Sequence, residues 1–127
     1  MFKEVKLSEI KSDGFLHSYI NEFIYNDNKK TLVLKIDGAD LKTGGIFYSC
    51  TITITDWWDL EVIESGKNTY KKYSIDETPT DIDQIIKYEY DGNLLVFESC
   101  GSLDLDSIIY YKFTKPKIHI TGEYEPD

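Results

Sequence analysis

The chain has 127 residues and a formal net charge of −9 at pH 7. That length suits one domain, so residues 1–127 are predicted to fold as a single unit. Hydrophobic residues make up 41% of the chain and aromatic residues 14%, which excludes a disordered acidic tail. The acidic balance argues against nucleic-acid binding, because phosphate contacts need a basic face.

The sequence indicates no export signal and no membrane span. Residues 1–6 lack the apolar core of a signal peptide, and the uncharged stretch 43–55 is too short to cross a bilayer. Two cysteines, Cys50 and Cys100, lie far apart and are expected to be reduced thiols. We therefore predict a cytoplasmic protein that does not bind membranes.

The first third of the chain predicts a short helix or turn, then extended segments. Residues 4–12 are expected to form that helix or turn, with Gly14 just past its end in a left-handed conformation. Residues 15–25 are rich in aromatic and β-branched side chains. Apolar residues then alternate with polar ones over 31–37, which is typical of a half-buried strand.

The strongest single strand pattern covers residues 47–55. Side chains alternate between the two faces of a strand, so one set is predicted to be core and the other exposed. The predicted core set is Tyr48, Cys50, Ile52 and Ile54, and the predicted exposed set is Ser49, Thr51, Thr53 and Thr55.

The second half of the chain shows further short strands separated by turns. Asp91-Gly92-Asn93 is a strong hairpin signal between two apolar segments, 85–90 and 94–100. Other strands are expected at 60–63, 70–75, 107–113 and 117–121. We predict a mainly β protein of about eight short strands with at most one or two short helices. The arrangement is an antiparallel sandwich, an open barrel or a curved sheet, with α+β as the alternative.

The chain lacks the recognised motifs of catalysis, metal binding and cofactor binding. The two histidines, His17 and His119, have no partner at the spacing of a zinc site. No Gly-x-Ser-x-Gly nucleophile motif and no phosphate-binding glycine loop occurs. The sequence therefore favours a protein that is not an enzyme, with no cofactor and no catalytic residue assigned.

Aromatic side chains beside carboxylates are the most suggestive feature for binding. The adjacent residues Trp57 and Trp58 lie on an extended segment, so one ring is predicted to enter the core while the other faces solvent. Exposed aromatic groups next to acidic ones suit a basic partner protein. The predicted contacts are Trp57, Trp58, Asp56, Asp59 and Glu61, with Asp104 and Asp106 as a second acidic patch.

Three segments of the first half together resemble small β-rich bacterial proteins. These segments are Leu16-His17-Ser18-x-Ile20, Leu32-x-Leu34-x-Ile36, and Ile52-x-Ile54-x-Asp56-Trp57-x-x-Leu60. Several such families are immunity proteins of polymorphic toxin systems. Ser18 stands where that pattern usually has an aspartate after the histidine. The resemblance implies a non-enzymatic immunity function and implies no catalytic residues.

We therefore expect a protein-binding domain, specifically an immunity protein that occludes a basic toxin through an acidic, aromatic-bearing surface. One alternative is a small-molecule-binding or hydrolytic β-barrel with a pocket near His17 and Tyr19. Another alternative is a structural subunit that self-associates through an exposed sheet edge.

Overall fold

Alternating apolar side chains make most of the chain extended. The computed structural model describes residues 1–66, 70–74, 77, 79, 82–101 and 107–126. Among these residues there are ten β-strands and one short 3-10 helix at Leu7–Glu9. The strands are β1 Phe2–Val5, β2 Ile20–Asn26, β3 Thr31–Ala39, β4 Ile46–Thr55, β5 Asp59–Ser65, β6 Tyr70–Tyr73, β7 Ile82–Tyr90, β8 Leu94–Gly101, β9 Ile108–Thr114 and β10 Lys117–Glu125.

The described strands form two open, five-stranded antiparallel sheets. The first sheet has the order β1-β10-β4-β3-β2, and the second has the order β6-β5-β9-β8-β7. The predicted mainly β class is confirmed, and of the three predicted arrangements the structure agrees with the sandwich. Among the described residues, no helix has the length and apolar character needed to cross a bilayer.

The hairpin between β7 and β8 forms where the sequence predicts it. Gly92 adopts a φ of 91°, which a residue without a Cβ tolerates well. The Asp91 carboxylate accepts hydrogen bonds of 2.8 Å from the backbone N–H groups of Asn93 and Leu94. These bonds lower the pKa of Asp91, the bond from Leu94 having the larger effect. The turn is therefore fixed by local chemistry.

Apolar residues from both sheets form one buried core. Aromatic rings contribute many of its contacts, including Phe23 with Tyr111 at 5.7 Å and Phe97 with Phe113 at 6.3 Å between ring centroids. The Phe23–Tyr111 pair joins the first sheet to the second, whereas Phe97 and Phe113 pack within the second sheet. Such rings provide much of the apolar area removed from water.

The predicted short helix or turn at 4–12 is divided between β1 and the 3-10 helix, because Val5 pairs with β10. The buried Tyr88 hydroxyl holds this region by donating to the carbonyl oxygens of Leu7 and Ile10. The expected left-handed conformation of Gly14 is wrong, since its φ is not positive. Gly14 is instead tightly packed: an added Cβ would lie 2.8 Å from the Asp40 carbonyl oxygen.

The face assigned to Tyr48 is also wrong, and a β-bulge is the reason. Thr121 lies opposite Thr51, but Glu123 lies opposite Tyr48, so two residues of β4 oppose Gly122 alone. Ser49, one of those two, has a φ of 50°. The extra residue reverses the alternation, so that Phe47 is buried and Tyr48 is exposed beside the acidic side chains of β10.

We expect Ser49→Gly to stabilise the protein by about 0.5 kcal/mol. A residue with a Cβ pays about 1–2 kcal/mol in the left-handed region, whereas glycine in a strand loses about 0.5–1 kcal/mol through chain entropy. Urea unfolding measures the difference in unfolding free energy between Ser49→Gly and the wild type. Thr51→Gly, in the same strand but without a positive φ, is the matched control and should be destabilised. Equal destabilisation of both variants would contradict the strain at Ser49.

Candidate protein-binding site

The adjacent tryptophans point to opposite sides, as the sequence predicts. Trp57 is 4% exposed and Trp58 is 69% exposed. The Trp57 ring stacks on Tyr25 at 6.3 Å and meets Phe113 edge-on at 5.1 Å. Trp57 therefore belongs to the core, and Trp58 is the ring available to a partner.

Trp58 lies where the chain passes from β4 to β5, and a lysine covers part of its ring. Its backbone N–H donates to the Thr114 carbonyl oxygen at 2.8 Å. The Lys115 Nζ lies 3.9 Å from the ring centroid, within cation–π range. Asp56 forms an ion pair of 3.3 Å with Lys117.

Of the other predicted contacts, Asp59 is exposed, Glu61 is paired with lysine, and two lie outside the described residues. Asp59 is exposed at the start of β5. Glu61 contacts Lys72 at 3.4 Å and Lys112 at 4.0 Å. Asp104 and Asp106 lie outside the described residues. Lysines therefore compensate much of the negative charge that the sequence led us to expect at this surface.

The backbone at the Trp58 end is held in unusual conformations. Among the described non-glycine residues, Lys30, Asp56 and Lys115 have φ values of 49°, 53° and 49°. The Asp56 N–H donates to the Lys30 carbonyl oxygen at 3.2 Å, and the Lys115 N–H donates to the Asn93 carbonyl oxygen at 2.6 Å. At this end, the connection after β4 is thus hydrogen-bonded to the connection after β2, and the connection after β9 to the connection after β7.

A second exposed aromatic surface, not predicted from the sequence, surrounds Tyr48. We call it the Tyr48 surface and define it as Asp37, Asp40, Ile46, Tyr48, Glu123 and Glu125. The exposed fractions of Ile46 and Tyr48 are 59% and 36%. Both lie opposite acidic residues of β10: Tyr48 opposite Glu123, and Ile46 opposite Glu125.

The carboxylates of the Tyr48 surface act on the Tyr48 phenol. Its hydroxyl donates to Glu125 Oε1 at 3.2 Å. The negative charge of Glu125 is the largest cause of a raised pKa of Tyr48, followed by this hydrogen bond, burial and the charge of Glu123. Glu123 also lies 3.3 Å from the Met1 amino group.

A cleft of about 290 Å³ lies within the Tyr48 surface. It is lined by Ser18, Asp37, Gly38, Ala39, Asp40, Gly45, Ile46, Phe47 and Tyr48. The Asp37 carboxylate accepts a 2.7 Å hydrogen bond from the Asn21 side chain. Among the described residues, neither Asp37 nor Asp40 forms an ion pair with a lysine.

The two aromatic surfaces lie at opposite ends of β4. Ile46 begins this strand and Thr55 ends it, next to Asp56. Ten residues at a rise of about 3.3 Å span roughly 30 Å.

The sequence does contain a signal for the bulge that exposes Tyr48. Gly122 is an isolated glycine in a β pattern, which suggests a bulge or a close approach of a neighbouring segment. An added Cβ at Gly122 would lie 2.7 Å from Phe47 Cζ.

The predicted pocket residues His17 and Tyr19 are both exposed. The 290 Å³ cleft includes Ser18, which lies between them, but neither side chain lines it. Two further cavities of about 570 and 450 Å³ have other linings, which share Ser8 and Tyr90. Among the described residues, no three His, Cys, Asp or Glu side chains are grouped to hold a metal ion.

The two cysteines are free thiols in different sheets. Burial raises the pKa of Cys50 to about 12 from 9.0. The pKa of Cys100 is also raised, mainly by burial and then by the charge of Asp83. Thiolate chemistry is therefore suppressed at both positions near neutral pH.

The raised pKa of Cys50 predicts a loss of stability in alkali. The folded state holds the thiol proton more tightly than the unfolded chain, so the stabilisation is complete below the unfolded pKa. As pH rises from about 9 towards 12, this thiol should remove about 1.4 kcal/mol of unfolding free energy per pH unit. Urea titrations across this range measure the slope. Cys50→Ala should lose that part of the slope, Cys100→Ala should largely retain it, and identical slopes in both variants would refute the assignment.

Comparison with known proteins gives no relative on which to base a function. No protein-family model matches the chain, and neither does any curated protein or solved structure.

Proposed function

We propose that this protein is a non-enzymatic binding domain that captures a basic partner protein through the Tyr48 surface. The supporting observation is the combination of exposed Ile46 and Tyr48 with four carboxylates on one side of the molecule. Contiguous exposed apolar groups rimmed by polar residues are typical of protein–protein interaction sites.

The two kinds of side chain contribute differently to binding. A few aromatic and aliphatic anchors provide most of the binding free energy when they are buried against a partner. Carboxylates around them attract a basic protein from a distance and make its association rate depend on salt. The net charge of −9 acts in the same direction.

This behaviour suits an immunity protein that occludes a toxin in the cytoplasm, in keeping with the resemblance of the first half of the chain. The Trp58 end is the other candidate contact for the same function. The lysines that pair with Asp56 and Glu61 and cover Trp58 make it less suitable for a basic partner.

The test is capture of the partner from native cells by the tagged protein at low and moderate salt. We expect one stoichiometric basic protein whose affinity, remeasured with the purified pair, falls as salt increases. Expression of that protein alone should arrest growth, and co-expression of the present chain should restore it. The absence of a stoichiometric partner at both salt concentrations would contradict the binding function. A partner without toxicity would contradict the immunity function alone.

A further inference from the structure

The cleft in the Tyr48 surface has walls of two chemical kinds. Asp37 and Asp40 contribute carboxylates, whereas Ile46 and Tyr48 contribute exposed apolar surface. The lining also includes Gly38, where an added Cβ would lie 2.7 Å from the Phe47 carbonyl oxygen. The lining contains no lysine among the described residues.

We propose that this cleft binds one basic side chain of the partner protein, its charged head near Asp37 and Asp40 and its methylene stem along Ile46 and Tyr48. This inference rests on the proposed function and adds the chemical group that is recognised. A lysine or arginine side chain combines an apolar stem with a cationic head, which matches the two kinds of wall. An aromatic ring beside the cation adds a cation–π contribution.

The position of each carboxylate favours a cationic guest. The hydrogen bond from Asn21 orients the Asp37 carboxylate without neutralising it. Asp40 is exposed, and its backbone is fixed by bonds to Lys11 and Gly14. A cation between these two groups would gain two attractions without the chain having to break an internal ion pair.

A short peptide with a single charge tests the cleft without the non-specific attraction of a polybasic ligand. The probes are acetylated and amidated Gly-Ser-X-Ser-Gly peptides in which X is arginine, lysine or citrulline, titrated into the isotope-labelled protein. Citrulline is the neutral analogue of arginine and controls for shape. We expect amide shifts confined to residues 37–40 and 46–48 with arginine or lysine, and none with citrulline. The relative affinities of the two charged peptides then show which basic side chain the cleft prefers.

Two variants with the same charge change make the test specific. Asp40→Asn removes a carboxylate of the cleft, whereas Asp27→Asn removes an exposed one from the turn before β3. We expect Asp40→Asn to weaken peptide binding about fivefold and Asp27→Asn less than about twofold, as for a single exposed charge pair.

Equal effects of the two variants, shifts spread over distant carboxylates, equal binding of citrulline or no binding would each overturn this proposal. These outcomes are distinct from failure of the proposed function. If the purified partner still binds in a manner that depends on Tyr48, only the cleft assignment is wrong. If the peptide binds but native cells yield no basic partner, the proposed function is wrong.

Discussion

Replacement of Trp57 by alanine should lower the free energy of unfolding by about 4 kcal/mol, the typical cost of removing a buried large aromatic side chain. Its ring is 4% exposed and contacts Tyr25 and Phe113, so the variant would leave a cavity between the sheets. Trp58→Ala should cost about 1 kcal/mol or less, because that ring is 69% exposed and loses mainly the cation–π contact with Lys115.

Urea unfolding of the two variants provides a comparison matched in residue type and chain position. Each variant retains one tryptophan, so fluorescence also reports separate environments. Emission should be that of a buried indole in Trp58→Ala and that of a hydrated indole in Trp57→Ala. Similar losses of stability in both variants would show that the assignment of core and surface rings is incorrect.

Replacement of Tyr48 by alanine should weaken binding of the purified partner by about 2 kcal/mol, or roughly 30-fold, as for an interface hot spot. Tyr48→Phe keeps the ring and loses only the hydrogen bond to Glu125, so its effect should be much smaller. Isothermal titration calorimetry at two salt concentrations measures both the loss and its electrostatic part.

Trp58→Ala is the control for this second prediction, because it removes an exposed aromatic ring at the opposite end of β4. Its affinity should stay within about threefold of the wild type, as for a residue outside the contact. The reverse result, with binding lost in Trp58→Ala and kept in Tyr48→Ala, would transfer the contact to the Trp58 end. Urea unfolding of Tyr48→Ala confirms that a loss of affinity does not reflect unfolding.

Local sequence patterns predicted the strands well because local physics determines them. The alternation in β3 and the Asp-Gly turn before β8 each act within a few neighbouring residues. The opposite orientation of Trp57 and Trp58 follows from the same period of two. These features needed no information about distant parts of the chain.

The candidate site was predicted less well because it depends on pairing between distant segments. The lysines that neutralise Asp56 and Glu61 come from β6, β9 and β10, so their proximity follows from sheet order. The exposure of Tyr48 depends on a one-residue difference between β4 and β10. An alternation pattern read along β4 alone places Tyr48 in the core, as the sequence prediction did.

The bulge at Ser49 also bears on how this surface could change during evolution. Pairing of β4 with β3 keeps one register on both sides of it, since Ile36 lies opposite Cys50 and Gly38 opposite Tyr48. Only the pairing with β10 absorbs the extra residue. A single-residue deletion here would remove the mismatch with β10 and exchange which side chains face outward at residues 46–48, and the pairing with β3 would shift by one residue on one side of the deletion. Related chains could therefore acquire a different partner preference by a change in length, with the core sequence largely preserved.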